Sequence, residues 1–370
     1  RKVQLAEKER EMKLTEETPF FFIYSVWTKN GEYREQVKRL VTDYDNYISL
    51  KLAGDDAYLS EKMVGYPAEL DEVYAESFEE QKNEWFSCVG DGIQECRNTW
   101  EHKKWNITDF PEFELAITID RPELYYDFLQ KDWTRFCHDY WKNNFLEHHT
   151  LSQKRVARIY IGNQFCHNLF PRKKLLFQVL EKALENNLAV TLAFSYIRNH
   201  LLEEIDELLQ ELEVWCQSRE KEAGKDQEEI IVNDWAMPIL LQGKPHLKPV
   251  LGVLLNKRRK DVRLPYKHGI GNHVDSLAEN NLNCGFYQDY LKNTFDIQRF
   301  EFESCGYKVT IPDGHHSLHL PFFQTNTSQY CTLYAVCRYG DRGKQKLPEN
   351  CPRYCNKKVF LYPKHLKMVG

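Results

Sequence analysis

Strand-like and helix-like stretches alternate along the chain from about residue 113. Apolar, β-rich runs predict the strands, and apolar residues at helical spacing predict the helices between them. In the clearest helix, 172–187, Leu176, Val179 and Ala183 share one stripe, and two asparagines mark the end. This alternation is typical of an α/β fold with parallel strands. The strand-like segments are 113–120, 156–162, 188–194, 228–232, 249–255, 297–303, 307–311 and 318–323.

Eight parallel strands with helices between them are the number that closes a TIM barrel. We therefore predict an α/β, TIM-barrel-like core, complete or incomplete, over residues 113–330. Residues 1–112 lack this alternation and are predicted to form an N-terminal accessory region. Within that region, 19–27 predicts a strand, and the charged opening 1–17 predicts a solvated helix or tail. Residues 331–370 form a cysteine-rich segment.

Composition narrows the classes of protein that fit. The chain has 370 residues, 42% of them hydrophobic, and a formal charge of -5. It can therefore bury a full-sized core, and it has no overall charge that would attract it to nucleic acid or an anionic membrane. No apolar stretch approaches the ~20 residues needed to span a bilayer. We expect a cytoplasmic protein that makes no membrane contact.

Cysteine spacing carries the strongest chemical signal. The chain has 11 cysteines, an odd number, so disulfides cannot pair them all within one chain. Four lie near the end with the spacing Cys-x5-Cys-x13-Cys-x3-Cys, which meets the ligand count of tetrahedral zinc or of a 4Fe–4S cluster. Structural zinc favours closer pairs than the first of these, so the spacing favours the cluster, with zinc or free thiols as alternatives. The predicted ligands are Cys331, Cys337, Cys351 and Cys355.

Five stretches carry a resemblance to a known family: VARIYIGNQFCHNLFP (156–171), EEIIVNDWAMPILL (228–241), PVLGVLLNKRRKDVR (249–263), GFYQDYL (285–291) and the quartet CTLYAVC…CPRYC (331–355). They look like peptidase family U-32, the collagenase-like peptidase family, and especially its cluster-binding members. The resemblance implies a TIM-barrel-like core with four C-terminal cysteines that bind a 4Fe–4S cluster. It also implies oxygen-independent hydroxylation, of ubiquinone precursors or of RNA, as an activity of such members in place of proteolysis.

Polar residues follow three of the predicted strands where each strand ends. Because the carboxyl ends of parallel strands share one edge, these residues are expected to converge on a rim of the kind that holds substrates in barrel enzymes. Asn and Asp also occur after strands as turn and helix-cap residues, so a structural role is the alternative. The predicted substrate-binding residues are Asn163, Cys166, Asn233, Asp234, Asn256, Lys257 and Arg263.

Three further features have weaker implications. The cationic run 256–263 suits RNA phosphate or an acidic substrate, although a solvated loop explains it as well. His316 and His319 are three residues apart on a predicted strand, so they face opposite sides and are not expected to share a zinc ion. Glu301 and Glu303 share one face of a strand, for which a solvent-exposed face is a sufficient explanation.

Two hypotheses about function follow. The first is an iron–sulfur enzyme or enzyme subunit with redox, hydroxylation or sulfur chemistry on a small-molecule or macromolecular substrate, served by a partner subunit or electron donor. The second is a non-catalytic binding scaffold with a structural cluster or zinc. A genuine U-32 peptidase is a third alternative. The chain has no GxSxG, HExxH, Walker or dinucleotide motif, so a serine or zinc peptidase is not predicted.

Overall fold

A computed structural model of the chain describes residues 11–17, 22–39, 41–42, 112–144, 146–223, 228–258, 279–304, 309–320, 330–341, 344, 346–348 and 350–356. Near the N-terminus, strands β1 (Glu11–Glu17) and β2 (Phe22–Trp27) pair antiparallel. Residues 31–39 form helix α1. The strand predicted over 19–27 is confirmed in its described part. The helix or tail predicted for the charged opening is wrong over β1, because pairing with β2 satisfies its backbone and the hydroxyls of Thr15 and Ser25 bond across the pair at 2.8 Å.

The body of the protein is built on a five-stranded parallel sheet with the order β3-β4-β5-β6-β7. Each pair of neighbouring strands is also consecutive in the chain and parallel, which requires a crossover connection between them. The predicted α/β class with parallel strands is confirmed. The strands are β3 (Leu115–Ile119), β4 (Val156–Gly162), β5 (Ala189–Ala193), β6 (Glu228–Val232) and β7 (Leu247–Leu251).

Helices occupy the crossovers. Two helices follow β3, because Asp132 interrupts the helical stretch and caps the second helix by accepting a hydrogen bond from the Arg135 N–H at 2.9 Å. None of the helices described in the structure combines the length and apolar composition needed to cross a bilayer. The helices are α2 (Pro122–Gln130), α3 (Trp133–Asn143), α4 (Lys173–Glu185), α5 (Leu202–Ala223), α6 (Met237–Leu240), α7 (Gly285–Phe295) and α8 (Thr332–Tyr339).

One face of the sheet carries most of the hydrophobic core. Alternate strand residues such as Ile117, Ile159 and Leu192 pack with buried residues of the helices, including Phe128 and Leu180. We call this the helix-covered face and the other the inner face. The inner face has only a small apolar group. Its members are Tyr160, Ala193, Ile231 and Val250, with Ala116 packed against them.

Two short strands, β8 (Glu301–Glu303) and β9 (Ser317–His319), form a separate parallel pair. A single parallel bridge, Leu251 to Phe300, joins the end of β7 to the residue before β8. The described residues do not close into a barrel, so the TIM-barrel prediction is confirmed only at the level of an α/β fold with a parallel sheet. The predicted strand 307–311 is not a strand over 309–311, its described part.

Candidate functional site at the carboxyl edge of the sheet

The predicted rim residues follow β4, β6 and β7 and therefore lie at one edge of the parallel sheet. Their side chains mostly bond to the backbone around them. The Asn163 Oδ1 accepts hydrogen bonds from the N–H groups of Phe165 and Cys166, both at 2.9 Å, and its Nδ2 donates to the Asp120 carbonyl at 3.2 Å. Asn163 therefore shapes the loop that presents Cys166.

Asp234 acts as a cap. Its Oδ1 accepts hydrogen bonds from the N–H groups of Ala236 at 3.0 Å and Met237 at 3.1 Å, where α6 begins. Its Oδ2 accepts from the Ile197 N–H in the loop after β5. The carboxylate thus satisfies backbone donors of two loops, which is the structural role that the sequence left open for this residue.

Asn233 is buried and ties three strand ends together. Its Nδ2 donates to the Phe194 carbonyl at 2.7 Å and to Gln164 Oε1 at 3.2 Å, while its Oδ1 accepts from the Leu254 N–H at 3.2 Å. The side chain lies so close to Gly252 that a Cβ there would overlap its Oδ1. The absence of a side chain at position 252 is therefore what makes room for Asn233.

The residues that follow β7 also form hydrogen bonds within the protein. Asn256 is buried, and its Nδ2 donates to the Glu301 carbonyl at 3.2 Å. The Lys257 N–H donates to Asn281 Oδ1 at 2.9 Å. Arg258, predicted as part of a cationic surface, is buried and donates to the Glu303 carbonyl, so it does not offer a solvent-facing cation to RNA. Arg263 lies outside the described residues.

The C-terminal cysteines lie in two short segments. Cys331 caps α8, where its Sγ accepts a hydrogen bond from the Tyr334 N–H at 3.3 Å. Cys337 is six residues further along the same helix, about 9 Å along its axis at 1.5 Å per residue. Cys351 and Cys355 flank a backbone turn in which Arg353 has a positive φ of 55°. All four are free thiols, with Cys331 and Cys355 exposed.

Cys166 joins these thiols from the body of the protein. Burial raises the pKa of Cys166, and the charges of Cys351 and Cys331 raise it further. Burial likewise raises the pKa of Cys355, with added contributions from Cys166, Cys351 and Cys331. Four thiols thus lie within electrostatic reach of one another. We call Cys166, Cys331, Cys351 and Cys355 the thiol group. The sequence placed Cys166 on the rim and not with the quartet.

The segment that carries Cys351 and Cys355 lies against the carboxyl end of the sheet. Asn356 Nδ2 donates to Glu123 Oε1, 2.6 Å away, at the start of α2. The Arg353 charge also acts on Tyr125, whose hydroxyl donates to the Leu169 carbonyl at 3.0 Å in the loop after β4. The thiol group therefore occupies the same edge as the rim residues.

In the described part of the chain, no group of three or more His, Cys, Asp or Glu side chains is arranged to hold a metal ion. The thiols are neighbours, but their sulfur atoms are not close enough together to be ligands of one metal ion. Their chemistry nevertheless fits a soft metal, because four thiolates suit zinc or an iron–sulfur cluster. Because the pKa values of Cys166 and Cys355 are raised, these two thiols give up their protons most readily when a cation binds beside them.

A second polar group, missed by the sequence analysis, adjoins Cys166. The His167 Nδ1 and Asn168 Nδ2 atoms are buried without a hydrogen-bond partner among the described residues. Burial, followed by the charges of Arg198 and His200, lowers the pKa of His167 to about 4, so the ring is neutral. The His200 ring meets it edge-on at 6.3 Å. These atoms offer hydrogen-bonding capacity beside the thiol group.

Comparison of the chain with models of protein families, with curated proteins and with solved structures found no match. The resemblance to family U-32 therefore stays a prediction from the residues quoted above. The described geometry is the basis for the function proposed below.

Proposed function

We propose that this chain binds a 4Fe–4S cluster through Cys166, Cys331, Cys351 and Cys355 and works as an iron–sulfur enzyme or enzyme subunit. The observation that carries the proposal is that a thiol from the loop after β4 lies within electrostatic reach of three thiols from the C-terminal segments. Four soft ligands at the carboxyl edge of a parallel sheet, where α/β proteins bind their ligands, support a bound cofactor there.

Cys166 replaces Cys337 in this proposed ligand set. Both Cys331 and Cys337 lie on α8, and the helix separates them by nearly two turns. Cys166 has a fixed position instead, because its N–H and that of Phe165 are held by Asn163. A cluster bound in this way would fasten the C-terminal segment to the sheet. The set predicted from spacing, with Cys337, is the alternative.

The resemblance to family U-32 suggests redox, hydroxylation or sulfur chemistry, with an incomplete barrel as the scaffold. The bridge from β7 to the residue before β8 supports that scaffold, since it continues the parallel order beyond β7. The substrate is then a small molecule or macromolecule held at the carboxyl edge, and a partner subunit or electron donor supplies electrons. Zinc in place of the cluster remains the alternative cofactor.

A specific observation favours the second candidate, a non-catalytic scaffold in which the cluster only fastens the chain. The polar side-chain atoms of Asn163, Asn233 and Asp234 already form hydrogen bonds with backbone groups, so they have little capacity left to bind a substrate. Under this reading the rim is structural. Polar capacity left at the edge then resides in His167 and Asn168.

Anaerobic purification followed by iron, acid-labile sulfide and zinc analysis tests the proposal. We expect about four irons per chain and matching sulfide. Cys166→Ser should lose most of the iron, whereas Cys337→Ser and the α3 control Cys137→Ser should keep it. Stoichiometric zinc without sulfide would exclude the cluster. Loss of iron in Cys337→Ser with retention in Cys166→Ser would instead establish the set predicted from spacing.

The reduction potential separates the two functional candidates. A cluster that takes up and returns one electron reversibly at a potential within reach of biological donors supports the enzyme. A cluster that is not reduced, and whose removal mainly lowers the thermal unfolding temperature, supports the scaffold.

A further inference from the structure

A cluster of polar and charged side chains lies on the inner face of the sheet and uses none of the thiols. We call it the inner cluster. Tyr160 on β4 belongs to it, and so do residues from beyond β7, which shows that the chain folds back over this face. Its members are Tyr160, Arg299, Glu301, Ser317 and His319.

The inner cluster is connected by hydrogen bonds throughout. The Tyr160 hydroxyl donates to Glu301 Oε1 at 3.0 Å, lies 2.8 Å from Ser317 Oγ, and accepts from Arg299 at 3.1 Å. Arg299 also donates to Ser317 and pairs with Glu229 of β6. The second carboxylate oxygen of Glu301 bonds to His319 Nε2. Each side chain is thereby fixed by at least two others or by one charged partner.

Glu301 and His319 form an ion pair. Burial by itself would raise the pKa of Glu301, but the hydrogen bond and charge of His319, with Arg299, outweigh it and lower that pKa. Burial would lower the pKa of His319, but Glu301 and then Glu303 outweigh it and raise that pKa, against the opposing charge of Arg299. The raised pKa favours the charged form of the imidazole, and the bond to Glu301 holds the ring in one orientation.

His319 is one of the two members of the inner cluster that are partly exposed, together with Ser317. Its side chain is 23% exposed, whereas that of Glu301 is 0% exposed. The Tyr160 ring packs edge-on against the imidazole at 5.4 Å. Because Nε2 bonds to Glu301, the ring has Nδ1 left, and no described residue forms a hydrogen bond with it. A carboxylate that orients an imidazole through one ring nitrogen and leaves the other available is an arrangement that acid–base groups use.

A second observation concerns two polar atoms beside the inner cluster. Asn256 Oδ1 and Arg299 Nε are both buried without a hydrogen-bond partner among the described residues. Both residues contact the inner cluster, Asn256 through the Glu301 carbonyl and Arg299 through Tyr160. An acceptor and a donor left open in the interior are costly unless something else satisfies them.

We propose that the Nδ1–H of His319 donates a hydrogen bond to an oxygen of a small carboxylate-bearing molecule bound at the inner face, and that Glu301 is its positioning residue. A carboxylate matches the imidazolium donor, which makes charge-assisted hydrogen bonds with such oxygens. The site is distinct from the thiol group, so it stands whether or not a cluster binds there.

Histidine C2–H exchange followed by mass spectrometry tests this, since it gives the pKa and the access of each imidazole. Benzoate is the carboxylate probe and benzyl alcohol the uncharged control. We expect a pKa for His319 above the ordinary histidine value and at least twofold slower exchange with saturating benzoate. Benzyl alcohol should leave His319 unchanged, and neither compound should affect His138, which is exposed on α3.

The variant Glu301→Gln keeps the shape of the side chain but removes its charge. In it the pKa of His319 should fall, because the hydrogen bond and charge of Glu301 are the main causes that raise it, and protection by benzoate should weaken at least fivefold. The wild-type measurements stand without the variant if it does not fold. A His319 pKa at or below the ordinary value, exchange too slow to measure, or no effect of benzoate would each overturn the proposal and leave the inner cluster purely structural.

Discussion

Replacing Asn233 by alanine gives the sharpest test of whether the rim is structural. The change removes a donor to the Phe194 carbonyl and to Gln164, and an acceptor for the Leu254 N–H. Each lost bond of this kind costs about 1 kcal/mol, and buried groups left without a partner add to it. We therefore expect Asn233→Ala to lower the free energy of unfolding by about 3–4 kcal/mol, or the melting temperature by roughly 6–16 °C.

Urea unfolding followed by tryptophan fluorescence measures this difference. Lys257→Ala is the matched control, because Lys257 follows β7 at the same edge and enters the described network through its backbone N–H. We expect the control to change stability by less than about 0.5 kcal/mol. If Asn233→Ala were as stable as Lys257→Ala, the hydrogen bonds of Asn233 would not contribute to the fold, and its amide would be available to a substrate as the sequence first suggested.

Two further predictions concern single residues. Burial raises the pKa of Glu228 to about 7. Because the folded state holds this proton more tightly than the unfolded state, the free energy of unfolding of the wild-type protein falls by up to about 3 kcal/mol as pH rises from about 4.5 through 7. The glutamine in Glu228→Gln does not titrate, so between pH 5 and 8 the stability of this variant relative to the wild type should rise by that amount in urea unfolding. A stability difference that does not change with pH would refute the shift. A Cβ at Gly162, which has a φ of 116°, would overlap the Ala193 carbonyl and lie 2.8 Å from the Phe170 ring. Gly162→Ala should lower the stability of the protein by about 3 kcal/mol or more. The control Gly243→Ala should lower it by only about 1 kcal/mol, because φ is also positive there but no atom lies within 4 Å. Equal losses of stability in thermal unfolding would contradict this prediction.

The parallel sheet could be predicted because its strands are short apolar runs with a clear boundary. The limits of the helices were harder to place. Helix α5 continues to Ala223 through a polar stretch that looks like a loop in the sequence, because Glu, Lys, Arg and Ala are good helix formers. Polarity alone signals exposure, not the end of a helix. The break before α3 depends on Asp132, which caps that helix. In the sequence, Asp132 cannot be distinguished from any other acidic residue within a charged run.

The candidate sites depended on contacts that spacing does not encode. Cys166 and Cys331 are far apart in the chain and meet because both lie at the carboxyl edge of the sheet, where Asn356 anchors the C-terminal segment on Glu123. Glu301 and Glu303 do share one strand face, as predicted, but that face is buried and not solvent-exposed. The alternation of side chains along a strand predicts that Glu301 and Glu303 share a face. Their burial results from the way β8 and β9 fold back over the sheet, which the alternation does not encode.

The two faces of the sheet are covered differently, and this bears on why polar chemistry collects on one of them. Parallel sheets need cover on both faces. Helices cover one, whereas Glu301, Arg299 and His319 complete the cover of the other. Apolar residues of similar volume would do this at equal or lower free-energy cost, because buried ion pairs rarely stabilise more than a packed apolar replacement. Stability therefore does not explain why this cover is charged, and the proposed ligand site at His319 offers a reason that the exchange experiment tests.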